Sequence, residues 1–172
     1  YMKILYAGSS QSSAEILKAL INDNHEIVGV ISQPDKRSRR SKGLEPSHVS
    51  AVAETASIKV YKPFKLDEVF KEKILSLDFD LLLVVAYGKI LPKWLLESST
   101  KISINIHFSL LPKYRGASPI QSALLNNDDM TGISVMKMTE GLDEGPVFIF
   151  HKLKILDSDN RKSLEQKLTS LC

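Results

Sequence analysis

The sequence predicts a single α/β domain built on a doubly wound, mostly parallel sheet. Three observations carry that expectation. Met2 to Ile31 reads strand, glycine-containing turn, helix, strand, the signature of a right-handed crossover between parallel strands. Leu81-Leu-Leu-Val-Val-Ala86 is an unalternated apolar run, as expected where both faces of a strand are covered. The chain has 172 residues, 43% of them apolar, enough to bury a sizeable core without disulfide or metal staples.

The elements follow in order. Met2 to Ala7 is a β-prone run that breaks at Gly8 into Ser9-Ser-Gln-Ser-Ser13. Ile16, Leu17, Leu20 and Ile21 come at helical spacing, with Ser12 or Ser13 placed to cap that helix. Ile27 to Ile31 is the second strand. Pro46 opens a helix carrying Val49, Val52 and Ala53, and Ile58 to Tyr61 reads as a strand. Leu66 to Leu77 is helical, with Val69, Phe70, Ile74 and Leu77 on one face. Leu91 to Leu96 makes a short helix behind Pro92, and Ser103 to His107 is the next strand. Pro119 suits the first turn of a helix running to about Leu125. Gly132 to Met138 and Phe148 to Ile155 alternate apolar and polar, which suits strands pairing near a sheet edge. Arg161 to Leu171 is helical again, and the chain stops inside it. The expectation is one domain spanning 1–172, clipped at its C-terminal end.

Composition narrows the class. The single cysteine, Cys172, excludes a disulfide framework and cysteine-pair metal sites. The longest apolar run, Leu81 to Tyr87, falls far short of the roughly 20 residues of a membrane-spanning helix. With no charged-then-apolar leader, the expected location is cytoplasmic. The net charge is +3, and its placement is uneven. Lys36, Arg37, Arg39, Arg40 and Lys42 fall within seven positions; removing these five from 23 basic residues leaves 18 against 20 acidic ones. Such a segment is either a docking patch for a polyanion or a solvated loop.

In doubly wound sheets ligands bind beyond the carboxyl ends of the strands, and three groups of chemistry-bearing residues follow strands. Gly8 to Ser13 could cradle a phosphate at a helix N-terminus, or could be only a tight turn; with one glycine it does not match the dinucleotide fingerprint. Asn105-Ile-His107 places an amide and an imidazole on one face of a strand. The imidazole can move a proton near neutral pH, and the amide can donate to a developing oxyanion. The alternative is a hydrogen-bonded structural histidine. The following loop, Phe108 to Gly116, mixes proline, two cations, an aromatic ring and glycine, as pocket-shaping loops do. Glu140-Gly-Leu-Asp-Glu-Gly-Pro146 puts Asp143 in a turn-rich segment that by itself reads as a hairpin turn. His25, His48 and His151 read as structural or exposed, and Trp94 as core.

Together, Asn105-Ile-His107, Ser109-Leu-Leu-Pro-Lys-Tyr-Arg-Gly116 and Leu142-Asp-Glu-Gly-Pro146 resemble the catalytic signature of the folate-dependent formyltransferases. Three further segments resemble the branch of that family that acts on initiator methionyl-tRNA. These are Gln33-Pro-Asp35 with the basic stretch and Leu44-Glu-Pro-Ser47, Val85-Ala-Tyr-Gly-Lys-Ile-Leu-Pro92, and Ser118-Pro-Ile-Gln121. One departure is the serine-rich turn at Ser9 to Ser13, where that branch usually carries a Gly-Thr-Pro-type turn.

The resemblance implies a Rossmann-like formyltransferase fold and transfer of a formyl group from 10-formyltetrahydrofolate, a co-substrate, without a metal. It implies Asn105, His107 and Asp143 as the catalytic trio. Lys89, Ile90 and Leu91, with Thr139, Glu140 and Leu142, would hold the folate. Arg37, Arg39, Arg40 and Lys42, with Ser109, Leu110, Leu111 and Pro112, would serve the acceptor. It further implies a monomeric enzyme of translation initiation whose C-terminal tRNA-binding domain is absent from this sequence. The rival expectations are a sugar-nucleotide N-formyltransferase and an inactive RNA- or nucleotide-binding relative.

Overall fold

In the computed structural model, which describes residues 1–172, the first strand is β1 (Lys3–Gly8). It leads through a serine-rich turn into α1 (Gln11–Asn22) and then β2 (Glu26–Ile31). The helix begins earlier than Ser12 or Ser13 would allow. Ser10 caps it, accepting from the Ser13 amide, because Ser10 holds extended backbone angles just where the strand ends. Ser12 and Ser13 are buried instead, and the Ser13 hydroxyl lies 2.8 Å from the Tyr6 hydroxyl.

The chain divides into two compact units, Tyr1–Ser103 and Ile104–Cys172. In the first, β1, β2, β5 (Val60–Tyr61) and β6 (Leu81–Val85) are parallel neighbours in the order β5-β2-β1-β6. The winding runs outward from β1 through β2 to β5 and then returns to the other side of β1. Right-handed crossovers therefore put helices on opposite faces, and the switch point lies between β1 and β6. At that point Ser9 N donates to Ala86 O at 3.1 Å. All five residues of β6 are buried, which is why the run does not alternate.

Gly8 is required here. A Cβ on it would lie 1.9 Å from Ser13 Oγ and 2.6 Å from Val85 O, so any side chain would wedge the turn away from β6.

The other elements of this unit are shorter than the sequence suggests, for local reasons. Ile58 to Tyr61 narrows to Val60–Tyr61, because Ser57 has φ 59° and Ile58 N bonds back to Ala53 O, closing α2 (His48–Thr55) before extension begins. Leu66 to Leu77 narrows to α3 (Glu68–Leu75), capped by Asp67. Its inner face is Phe70 and Ile74, while Val69 is exposed, contrary to the expected stripe. The basic segment forms a small antiparallel hairpin, β3 (Lys36–Arg37) with β4 (Leu44–Glu45). Behind Pro92 lies one turn, α4 (Lys93–Leu96), where Trp94 meets Phe70 edge-on at 6.0 Å, as a core residue would.

The second unit is antiparallel. It carries β7 (Ile102–His107) from Ile104 onward, α5 (Pro119–Leu125), β8 (Met130–Lys137), β9 (Val147–Lys154) and α6 (Arg161–Leu171). β8 pairs with β7 and with β9, so the two alternating segments pair as expected. Ile133, Met136, Leu164 and Leu168 are all but fully buried. Each such side chain contributes about 1.5–3 kcal/mol relative to exposure. No helix of the chain is long and apolar enough to cross a membrane.

Candidate active site

The site grows from the carboxyl end of β7. Residues two apart share a strand face, so Asn105 and His107 leave β7 together. Asn105 stands opposite Met136 and His107 opposite Ser134 in the pairing with β8. Asn105 is half-buried, and His107 is buried at 7% exposure.

The loop after β7 folds back over the imidazole. The Ser109 hydroxyl donates to Lys113 O at 2.6 Å, and the buried Ser134 hydroxyl accepts from Leu111 N and donates to Ser109 O. These bonds hold the turn at Leu111-Pro112, whose peptide is cis. Beyond it Tyr114 takes φ 55°, and its carbonyl turns toward the ring. His107 Nε2 lies 2.8 Å from Tyr114 O. A carbonyl only accepts, so Nε2 carries the proton.

The segment after β8 supplies the other side. Asp143 has φ 51°, and its carboxylate Oδ2 accepts from Gly116 N at 2.8 Å. The same oxygen lies 3.7 Å from His107 Nδ1, with both side chains 8% exposed. Gly145 lets this segment close down: a Cβ there would lie 1.8 Å from Lys137 O. The turn-rich stretch is therefore more than a connection between strands, since it aims a buried carboxylate at the imidazole.

The ring thus lies between two acceptors, a carbonyl at Nε2 and a carboxylate beyond Nδ1. A ring protonated on both nitrogens donates to Tyr114 O through Nε2 and turns its other N–H toward the Asp143 carboxylate, beyond hydrogen-bond reach. Such an arrangement can hold a proton at Nδ1, release it to an acceptor placed there, and be reset by the carboxylate. A half-buried amide two residues away adds a donor for negative charge. No group of three or more His, Cys, Asp or Glu side chains converges as a metal site would require.

In the first unit the basic hairpin borders an open cavity of about 550 Å³. Lys36, Arg37, Arg39 and Arg40 line it from the hairpin, and Ser9, Gln33, Ser47 and His48 from the strand ends and the start of α2. Neither α1 nor α2 has an acidic residue in its first turn, so both helix N-termini keep their partial positive charge. Gln33 holds the hairpin's root, donating through Nε2 to Tyr87 O at 2.9 Å.

The family model described as formyl transferase matches residues 2–171. The chain belongs to that family. The family's methionyl-tRNA formyltransferase of Prochlorococcus marinus (strain AS9601) is 45% identical over 172 residues, covering 99% of this chain and 52% of that protein. The one of Mycoplasmopsis pulmonis is 42% identical over 170 residues, covering 99% of this chain and 58% of that protein. The chain therefore spans about half the length of the curated relatives it matches. Among solved structures, a phosphoribosylglycinamide formyltransferase from Bacillus halodurans superposes with a TM-score of 0.79 at 19% identity, over 98% of this chain and 88% of that one. That likeness establishes the Rossmann-like formyltransferase fold.

The remaining residues that the family resemblance singles out are placed as follows. Lys89, Ile90 and Leu91 belong to the first unit, and Thr139, Glu140 and Leu142 to the second. The Lys89 ammonium donates to Pro63 O at 3.1 Å and Phe64 O at 2.9 Å, tying its own loop to that turn, while Ile90 projects outward at 87% exposure and Leu91 is buried. Between β6 and this loop the Tyr87 phenol is buried without a hydrogen-bond partner, and burial pushes it up to about 12. Arg37, Arg39, Arg40 and Lys42 are exposed. Ser109 and Leu111 are buried, with their polar atoms committed to Lys113 O and to the Ser134 hydroxyl of β8; Leu110 is half-buried and Pro112 exposed.

Two contributors escaped the sequence reading. Ser134 sits at a polar position of the alternating β8 segment, which by itself reads as outward-facing, yet it is fully buried. Asp128 lies just before β8, where an acidic residue carries no local signal of its distant partner Tyr114.

Proposed function

We propose that the chain transfers a formyl group from 10-formyltetrahydrofolate to the amino group of initiator methionyl-tRNA, acting in the cytoplasm at the start of translation. The observation that carries this reading is the His107 imidazole seated between Tyr114 O and the Asp143 carboxylate, with Asn105 on the same strand face. Formyl transfer needs that set. The acceptor amine attacks the formyl carbon, a carbon–nitrogen bond forms, and the carbonyl oxygen takes the negative charge. Asn105 and the His107 imidazolium donate to that oxyanion. The attacking amine must then lose a proton and the folate nitrogen gain one as its bond to the formyl carbon breaks. Asp143, beside the ring and fixed by Gly116 N, supports the imidazolium and passes the proton.

Folate contacts are proposed for Lys89, Ile90, Leu91, Thr139, Glu140 and Leu142, following the family resemblance. The hairpin arginines and Lys42, with Ser109 to Pro112, are proposed for the acceptor. A cationic cavity flanked by two acid-free helix N-termini suits RNA phosphates. The same cavity favours a second acceptor, the pyrophosphate of an amino-sugar nucleotide.

The test supplies the chain with 10-formyltetrahydrofolate and, in separate reactions, methionyl-tRNA and an amino-sugar nucleotide, and follows formylated product. Product with methionyl-tRNA supports the main reading, product with the sugar nucleotide alone supports the second, and none with either overturns both. Asn105→Ala should lower turnover about 10²–10³-fold with the fold intact; near-wild-type turnover removes the amide from the mechanism.

A further inference from the structure

We infer that Asp128 is a positioning residue for His107, acting through the hydroxyl and backbone of Tyr114. The inference rests on the reading of His107 as the proton-moving group and goes beyond the trio to what aims it.

Tyr114 occupies a left-handed backbone conformation, φ 55°, which a residue with a Cβ adopts only when its surroundings enforce it. The enforcing contact is at the far end of its side chain. The Tyr114 hydroxyl donates to Asp128 Oδ2 at 2.7 Å, and that carboxylate is largely sheltered, 17% exposed. Asp128 is fixed in its turn, since its backbone N–H donates to Ala123 O at the end of α5. The hydrogen bond raises the Tyr114 phenol above its ordinary value, as a proton shared toward a carboxylate must be. Lys113 Nζ, 3.9 Å from the same oxygen, adds only a weak exposed ion pair.

With the ring anchored, the Tyr114 carbonyl has one direction left, and it meets His107 Nε2 at 2.8 Å. Two residues on, Gly116 N holds the Asp143 carboxylate. Both acceptors that flank the imidazole are therefore set by the stretch from Tyr114 to Gly116, and Asp128 is what pins it from outside. Loss of that pin lets Tyr114 relax to a commoner backbone conformation, which swings its carbonyl off Nε2 and frees the ring to turn away from Asp143.

The experiment compares Tyr114→Phe, Asp128→Ala and Asp128→Asn in the full chain, using formyl-transfer kinetics, thermal melting and nitrogen-15 NMR of the His107 ring. In Tyr114→Phe and Asp128→Ala, kcat should fall by up to about 10²-fold, with KM for both substrates nearly constant and the protonated Nε2 signal shifted or lost. Asp128→Asn keeps an acceptor for the phenol and should recover most of kcat and the wild-type ring signal. Unchanged ring signals in the first two variants overturn the inference, as does a loss in melting temperature with kcat and ring signal intact. If the ring signals move while wild-type chain transfers no formyl group to any acceptor, the positioning stands and the catalytic reading of His107 falls. Should either of the first two variants fail to fold, the other decides: a ring signal that moves together with a fall in kcat supports the inference, and an unchanged ring signal overturns it.

Discussion

His107 and Asp143 face one another across 3.7 Å, Nδ1 to Oδ2, from two segments that meet only in the folded second unit. The separation is too long for a direct hydrogen bond, so ring and carboxylate face each other as close, sheltered neighbours. Gly116 N donates to the same carboxylate oxygen and ties the acid to the loop that covers the ring.

Removing the charge while keeping the shape tests that relationship. Asp143→Asn retains an acceptor for Gly116 N and loses the anion beside the ring. Single-turnover formyl transfer should slow by about 10²–10⁴-fold at an unchanged melting temperature. Wild-type single-turnover rates would show that the carboxylate does no chemistry.

Gly145→Ala approaches the same pair through the backbone. The added Cβ would sit 1.8 Å from Lys137 O, so the segment carrying Asp143 must lift. A displacement of about 1 Å can cost about 10²-fold in rate. The expected outcome is a kcat loss of that order with β8 still formed, checked by turnover and by hydrogen exchange along the strand. Full activity would mean that the exact seat of Asp143 is unimportant.

The basic hairpin makes an ionic-strength prediction. If Arg37, Arg39 and Arg40 neutralise RNA phosphates, the triple change to glutamine should flatten the log–log salt dependence of tRNA binding by about 0.7–0.9 for each phosphate no longer neutralised. Filter binding from low to moderate salt measures it. A slope that does not change makes the hairpin a solvated loop.

Far from the site, Asp159 makes α6 sensitive to acid. Its carboxylate accepts from Lys167 at 2.7 Å, from Leu156 N at 2.9 Å and from Ser163 Oγ at 2.8 Å. Lys167 is the first cause, and together these hold the group down at about 2 against an ordinary 3.8. The folded value lies below the unfolded one, so the stabilisation is complete above about pH 4 and disappears as pH falls through about 2. Hydrogen exchange of the α6 amides should lose protection across that window. In Asp159→Asn the protection should be lower at neutral pH and no longer vary there; a variant that still follows the wild-type acid curve assigns the transition to another group.

Much of the architecture could be read before any coordinates. The buried run at Leu81 to Val85, the Gly8 turn and the alternation in β8 and β9 are local patterns whose periods match the elements they form. Where the reading missed, a backbone hydrogen bond between near neighbours decided, as when Ile58 N turned back to Ala53 O and shortened β5. Val69 is exposed because, at 3.6 residues per turn, it lies about 100–140° around α3 from Phe70 and Ile74, off the face they bury.

Sequence alone determined that Asn105 and His107 share a strand face, because a strand's period of two needs no partner to be known. It also determined the family motifs and where the cations cluster. Only the tertiary structure decided which way the imidazole points. Tyr114 O and Asp143 reach it from loops 7 and 36 residues away along the chain, through contacts that no local period records. Side-chain identity is written residue by residue, whereas a proton's available path depends on distances of a few tenths of an ångström, which packing alone sets.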